Sequence, residues 1–144
     1  MNVTDLIARE EGFSASPYLC SEGYPTVGYG QRIGPQGVDV SLYEFEIPEP
    51  VARQWLQENI RQIENSLSRY SWYQQCNADR AAVLVSMAYQ IGLSGLLRFR
   101  KMIAAIEDND WPEAERQALD SRWARQTPRR AAHHAEVLRT GVLS

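Results

Sequence analysis

Three polar side chains near the N-terminus stand at intervals that suit the cleavage of a bond: Glu11, Cys20 and Thr26. A carboxylic acid can protonate a leaving group. An ionised thiol can take a proton from water or attack an electrophilic carbon itself, and a hydroxyl can orient a water. Taken singly, each type has an ordinary structural use: a helix-end carboxylate paired with an Arg, a small core residue, a strand residue. Their setting singles them out. They lie on one segment, Arg9 to Gln31, reading REEGFSASPYLCSEGYPTVGYGQ, which carries a helix end into a glycine-punctuated hairpin. Other chemistries lack their residues. There is no Cys-x-x-Cys and no His-Glu-x-x-His, and His133 and His134 are helix neighbours expected to point about 100° apart, so no metal site and no cofactor is expected. Gly28-Tyr29-Gly30 reads as a turn, not a nucleotide loop, and no nucleophile elbow is present.

The elements that must position these groups follow in order. Val3, Leu6 and Ile7 make an apolar stripe on a first helix, with Asn2 as its N-cap and Gly12 as its stop. Glu11 follows Ile7 by four residues and shares its inward side. From Ser14 to Gly37, Tyr18, Tyr24, Thr26, Val27 and Tyr29 alternate with glycines, which predicts a small antiparallel hairpin or three-stranded sheet turning near Ser21 to Tyr24. After an irregular stretch punctuated by Pro48 and Pro50, Leu56, Ile60, Ile63 and Leu67 predict the longest helix, Glu49 to Ser68. Asn77 to Ile91 is apolar nearly all round, as a core helix is, and stops at Gly92. Further helices are expected over Leu96–Asp108, from the Asp110 cap to Leu119, and from Thr127-Pro128 to Gly141, with a turn at Arg122 and Trp123.

The 144 residues suit a single domain, and 44% hydrophobic content supports a full core. A net charge of −3 speaks against a general nucleic-acid binder. Charge is uneven: Arg116 to Arg139 holds six Arg and two His against two acids, either an anion-facing surface or a solvated helical face with internal ion pairs. Cys20 and Cys76 do not make a disulfide scaffold. No leader pattern precedes the first helix, and the run Ala81 to Ile91 is short for a bilayer span, so a cytoplasmic product without stable membrane insertion is expected.

The assembled pattern is more specific than its parts. Glu11-Gly12, Tyr18 and Glu22-Gly23-Tyr24-Pro25-Thr26-Val27-Gly28-Tyr29-Gly30 resemble the catalytic segment of the phage-type lysozymes, glycoside hydrolase family 24. That segment has a Glu-Gly closing the first helix, an Asp nine positions after the Glu and a Thr six later. Ala88-Tyr89-Gln90-Ile91-Gly92, Ser121-Arg122-Trp123, Gln126 through Ala131, and Arg139-Thr140-Gly141 are similar to later family motifs, in the same order. The resemblance implies a mainly helical α+β, lysozyme-like fold in a single domain over 1–144. It would have a β-containing lobe over 13–47, a helical lobe over 1–12 and 69–144, a bridging helix over 48–68 and a cleft between the lobes. It implies cleavage of peptidoglycan between N-acetylmuramic acid and N-acetylglucosamine by a monomer that meets glycan strands after release from the cytoplasm. Glu11 would be the general acid and Thr26 would hold the attacking water. Gly30, Gln31, Gln90, Phe99 and Arg130 would contact substrate, with Arg130 pairing Glu11.

Cys20 stands where the family has Asp, and Gln31 where it commonly has His. A neutral thiol is neither a strong acceptor nor a negative charge, whereas a thiolate is both. Three routes stay open: Cys20 serves as base or nucleophile, Glu11 and Thr26 act without it, or activity falls. A glycan-binding protein without hydrolysis and a lytic transglycosylase, which needs the Glu but no water-activating acid, are the competing readings.

Overall fold

The computed structural model describes all 144 residues. Its element order is α1 (Val3–Glu11), β1 (Ser14–Leu19), β2 (Pro25–Gly28), β3 (Gln31–Arg32), a 3-10 turn (Val40–Leu42), α2 (Glu49–Leu67), α3 (Ser71–Gln74), α4 (Ala78–Leu97), α5 (Arg100–Glu107), α6 (Trp111–Leu119), α7 (Arg122–Gln126) and α8 (Pro128–Thr140). The chain forms two compact units, Thr4–Ile60 and Met1–Val3 with Arg61–Ser144.

In the Thr4–Ile60 unit, α1 ends as expected: Gly12 takes φ +71° and its N–H returns to the Ala8 carbonyl at 3.0 Å. The three strands form one antiparallel sheet in the order β1-β2-β3, with Tyr18 opposite Thr26 and Thr26 opposite Arg32. So small a sheet must lean on helices. It leans on α2, because a Cβ on Gly28 would meet the Ala52 Cβ at 3.1 Å and the Tyr29 hydroxyl donates to Glu49 at 2.8 Å. Burial and then that carboxylate push the Tyr29 hydroxyl up. The Ile47 N–H closes the irregular stretch onto Ala15 at 2.9 Å. Arg53 pairs with Asp5 at 2.6 Å, tying α2 to α1, and Leu6, Ile7, Val27, Ala52 and Leu56 are fully buried.

The larger unit is helical. Seven successive residues of α4, Ala82 to Ala88, are buried. At 20 residues α4 is long and apolar enough to cross a membrane, but here it is the core helix. Its 20 residues are two helical stretches joined across a kink at Gly92, so the 19 residues of α2 make the longest unbroken helix, as expected. Gly92 breaks it at φ +81°, ψ 159°, where the sequence places the stop, yet helical turns resume to Leu97. The single helix expected over Leu96–Asp108 is therefore divided at Arg98 and Phe99. α8 packs on α6, α7 and α4, and α6 on α5. Asp110 caps α6 by accepting from the Glu113 N–H. Thr127 does not cap α8 with its side chain: its hydroxyl donates backwards to the Trp123 carbonyl at 2.9 Å. Gly141 closes α8 at φ +75°.

Candidate active site

Glu11 is the last residue of α1, half-buried, and its carboxylate lies against the turn between β2 and β3. A Cβ built on Gly30 would stand 2.6 Å from Glu11 Oε1, and Gly30 itself takes φ +79°. Only glycine satisfies both conditions, the left-handed backbone and the approach of the carboxylate.

Cys20 opens the turn between β1 and β2. Its N–H donates to Tyr24 and its carbonyl accepts from Gly23, both at 2.9 Å. Burial pushes the thiol up, but the N–H groups of Tyr24 and Glu22, the Thr26 hydroxyl and the Arg32 guanidinium act the other way, and together they bring it below its ordinary value. Thr26, 2% exposed, donates its hydroxyl to the Tyr24 carbonyl at 2.8 Å. Its one hydrogen is thus given to that carbonyl, and its lone pairs are left to accept.

Two neighbours complete the group. Burial first, then the charges of Glu11 and Cys20, push the Tyr18 hydroxyl up, so this phenol is within electrostatic reach of both. Tyr18 pairs across the sheet with Thr26, and Thr26 with Arg32, placing all three in one row. The Arg32 guanidinium lies 3.8 Å over the Tyr24 ring and 3.2 Å from Glu22. Glu11 thus lies against Gly30, Cys20 lies beside Thr26, and Tyr18 is within electrostatic reach of Glu11 and Cys20. Tyr18 appeared in the sequence only as part of the motif, and Arg32 gave no signal, because its role depends on strand register.

Gln31 behaves otherwise. It is 4% exposed, its Oε1 accepts from the Tyr29 N–H at 2.6 Å, and its Nε2 is buried without a partner. It clamps a turn; its carboxamide does not face outward toward a ligand. Gln90, Phe99 and Arg130 belong to the helical unit. Gln90 Oε1 accepts from the Trp123 indole at 2.7 Å, Phe99 meets Trp123 edge-on with centroids 6.0 Å apart, and Arg130 donates to Ser86 Oγ at 3.0 Å. Ser86 Oγ also lies 2.8 Å from Nε2 of the fully buried His134. The His133 and His134 Nδ1 atoms stand 3.3 Å apart, so their side-chain torsions undo the divergence expected of helix neighbours. Both cysteines are free thiols. Cys76, whose Sγ approaches the Trp72 carbonyl at 3.5 Å, is pushed up to about 11 by burial.

A family model described as phage lysozyme matches residues 8–135. The chain belongs to the phage lysozyme family. Its α+β architecture, with one small antiparallel sheet among eight helices, is the lysozyme-like fold. Among curated proteins it is 28% identical to probable T4-type lysozyme 2 of Dictyostelium discoideum and 25% identical to probable T4-type lysozyme 1 of the same organism. Each alignment covers 99% of this chain and 96% of the relative. It is also 27% identical to the pre-baseplate central spike protein Gp5 of Enterobacteria phage T4, over 99% of this chain, but it spans only 28% of that protein's length. Family and relatives support a glycosidase-type enzyme that lyses peptidoglycan.

Proposed function

We propose that this lysozyme-family chain hydrolyses the glycosidic bond between N-acetylmuramic acid and N-acetylglucosamine, with Cys20 in the part a carboxylate plays in its relatives. The observation that carries the reading is the setting of Cys20 at the end of the row in which Tyr18 faces Thr26 and Thr26 faces Arg32: burial pushes the thiol up, but two backbone N–H groups, the Thr26 hydroxyl and the Arg32 guanidinium together bring it below its ordinary value. Glu11, protonated, gives its proton to the glycosidic oxygen as the bond to the anomeric carbon breaks. A water accepted by Thr26 attacks that carbon and passes a proton to the Cys20 thiolate. Exchange with solvent then returns both groups to their starting state. Gly30 keeps the Glu11 carboxylate in place by leaving it room. Gln90, Phe99 and Arg130 are the substrate contacts of this reading, with glycan strands as partner, the monomer as working form, and action on the wall after release from the cytoplasm.

The test is clearance of outer-membrane-permeabilised bacteria by wild type, Glu11→Gln, Cys20→Ser, Cys20→Asp and Thr26→Ala. Wild type and Cys20→Asp are expected to clear, Glu11→Gln not at all, and Cys20→Ser and Thr26→Ala slowly. An inert wild type revived by Cys20→Asp would make the natural chain a binding protein. Full activity of Glu11→Gln would remove the site altogether.

A further inference from the structure

Two polar side chains, Ser86 and His134, are fully buried where α8 packs on α4. The other buried residues of α8 are Ala131, Ala135, Val137 and Leu138. Apolar side chains at both polar positions would serve such a core as well, because replacing both partners of a buried hydrogen bond together is nearly neutral. The two polar groups instead reach Arg130. Its Nη2 donates to Ser86 Oγ at 3.0 Å and to the Ser86 carbonyl at 3.3 Å, and His134 Nε2 lies 2.8 Å from the same Oγ.

Donor and acceptor types give this chain a direction. A guanidinium only donates, so Arg130 occupies a lone pair of Ser86 Oγ. The hydrogen of that hydroxyl goes to His134 Nε2, which accepts it. His134 therefore carries its own hydrogen on Nδ1 and gives it to Nδ1 of His133 at 3.3 Å. The ring hydrogen of His133 is then on Nε2, which is buried without a partner. A chain that ends in an unsatisfied buried N–H costs stability. Its use lies at the other end, in holding Arg130. His134 has a second neighbour of the same kind. Its ring stands 6.1 Å from that of Trp123, whose indole donates to Gln90 Oε1 at 2.7 Å. One buried imidazole thus stands behind two of the side chains assigned to substrate above.

We propose that His134 is a positioning residue: by holding Ser86 and backing Trp123, it fixes Arg130 and Gln90 before the glycan arrives. A long side chain ordered in advance loses its rotamer freedom on folding and not on binding. That Arg130 and Gln90 meet glycan rests on the hydrolase reading. The hold of His134 on Arg130 does not.

The experiment has two arms, both on the full chain. Nitrogen-15 NMR of the arginine side chains, with Arg130 assigned by its loss in Arg130→Lys, reports whether the guanidinium is held. A held group gives separate Nη signals and a freely turning one gives an averaged signal. Titration calorimetry of a disaccharide-peptide, in the Glu11→Gln background, reports affinity. Wild type is compared with His134→Leu, Ser86→Ala and His134→Gln, the last keeping an acceptor for the serine hydrogen, and melting temperatures confirm that each is folded. Separate signals are expected in wild type and His134→Gln, and averaged signals in His134→Leu and Ser86→Ala. Affinity should fall about tenfold in the latter two and return to within about twofold in His134→Gln. Should His134→Leu fail to fold, Ser86→Ala and His134→Gln decide alone. Separate Arg130 signals in the folded His134→Leu and Ser86→Ala proteins overturn the proposal, and so do averaged signals with undiminished affinity. A chain that binds no fragment and clears no bacteria would refute the hydrolase reading, and the Arg130 signals would then decide the role of His134.

Discussion

Replacing Gly30 with Ala tests how closely the catalytic carboxylate is held. The new Cβ would stand 2.6 Å from Glu11 Oε1, where ordinary contact begins at 3.4 Å, so the oxygen must retreat by about 0.8 Å or the turn must shift by as much. A catalytic group displaced by about 1 Å costs roughly 100-fold in rate, so a loss of about 10- to 100-fold is expected, equivalent to about 1.4–2.7 kcal/mol of barrier. A φ of +79° adds a folding cost of roughly 1–2 kcal/mol for any residue with a Cβ. Gly37→Ala separates the two effects. Gly37 sits at φ +86° with nothing within 4 Å of its would-be Cβ, so it carries the strain without the clash. Initial clearance rates and urea denaturation of both variants give the answer. Gly30→Ala should lose activity well beyond its stability loss, and Gly37→Ala should lose stability alone. A Gly30→Ala protein at near wild-type rate, or equal activity losses in the two variants, would refute the placement of Glu11.

The other expectations concern single groups. The acid limb of the pH–rate profile should follow formation of the Cys20 thiolate, with its midpoint below the ordinary thiol range, and Cys20→Asp should carry that limb to much lower pH; identical limbs would exclude the thiolate from the reaction. Cys76 keeps its proton up to about pH 11 in the folded chain but only to about pH 9 once unfolded, so its contribution to stability is complete below the lower value and drains away as pH rises toward the upper. Two units correspond to at most about 2.7 kcal/mol, and because Cys76 is only half-buried a loss of roughly 1 kcal/mol is expected. Cys76→Ser should therefore flatten the fall in denaturation midpoint between pH 8 and 11, though Tyr73, pushed up to about 12 chiefly by burial, keeps part of it. Parallel curves would count against it. Gln31→Ala leaves the buried Tyr29 N–H without its acceptor and should cost about 1–3 kcal/mol in urea unfolding, whereas a change confined to KM would make Gln31 a ligand contact after all.

Much of this was legible in the chain because it rests on local signals. Gly12, Gly92 and Gly141 all adopt positive φ where a stop was expected, and Asp110 caps the helix it precedes. The hairpin followed from glycines alternating with strand formers. What escaped depends on contacts made at a distance in sequence. Arg32 reaches Tyr24 only because β3 pairs with β2 in one register. Gln31 turns inward to serve Tyr29, a choice that residue type does not announce. The charge pattern left two readings open, an anion-facing surface or internal ion pairs. The Arg-rich C-terminal run contains residues already paired, such as Arg116 and Arg139, while the unpaired cations gather from Arg98, Arg100, Lys101 and Arg122. Packing of α5 beside α6 brings those segments together, and no periodicity reports it.

The most direct test of the central claim, hydrolysis through Glu11 with a water served by Thr26 and Cys20, is mass spectrometry of peptidoglycan digested by the wild-type chain in water enriched with oxygen-18. Reducing-end muramic acid fragments carrying one heavy oxygen are predicted, and they should be absent from the Glu11→Gln digest. Fragments ending in 1,6-anhydro sugars, with no label, or a digest without fragments would contradict the account.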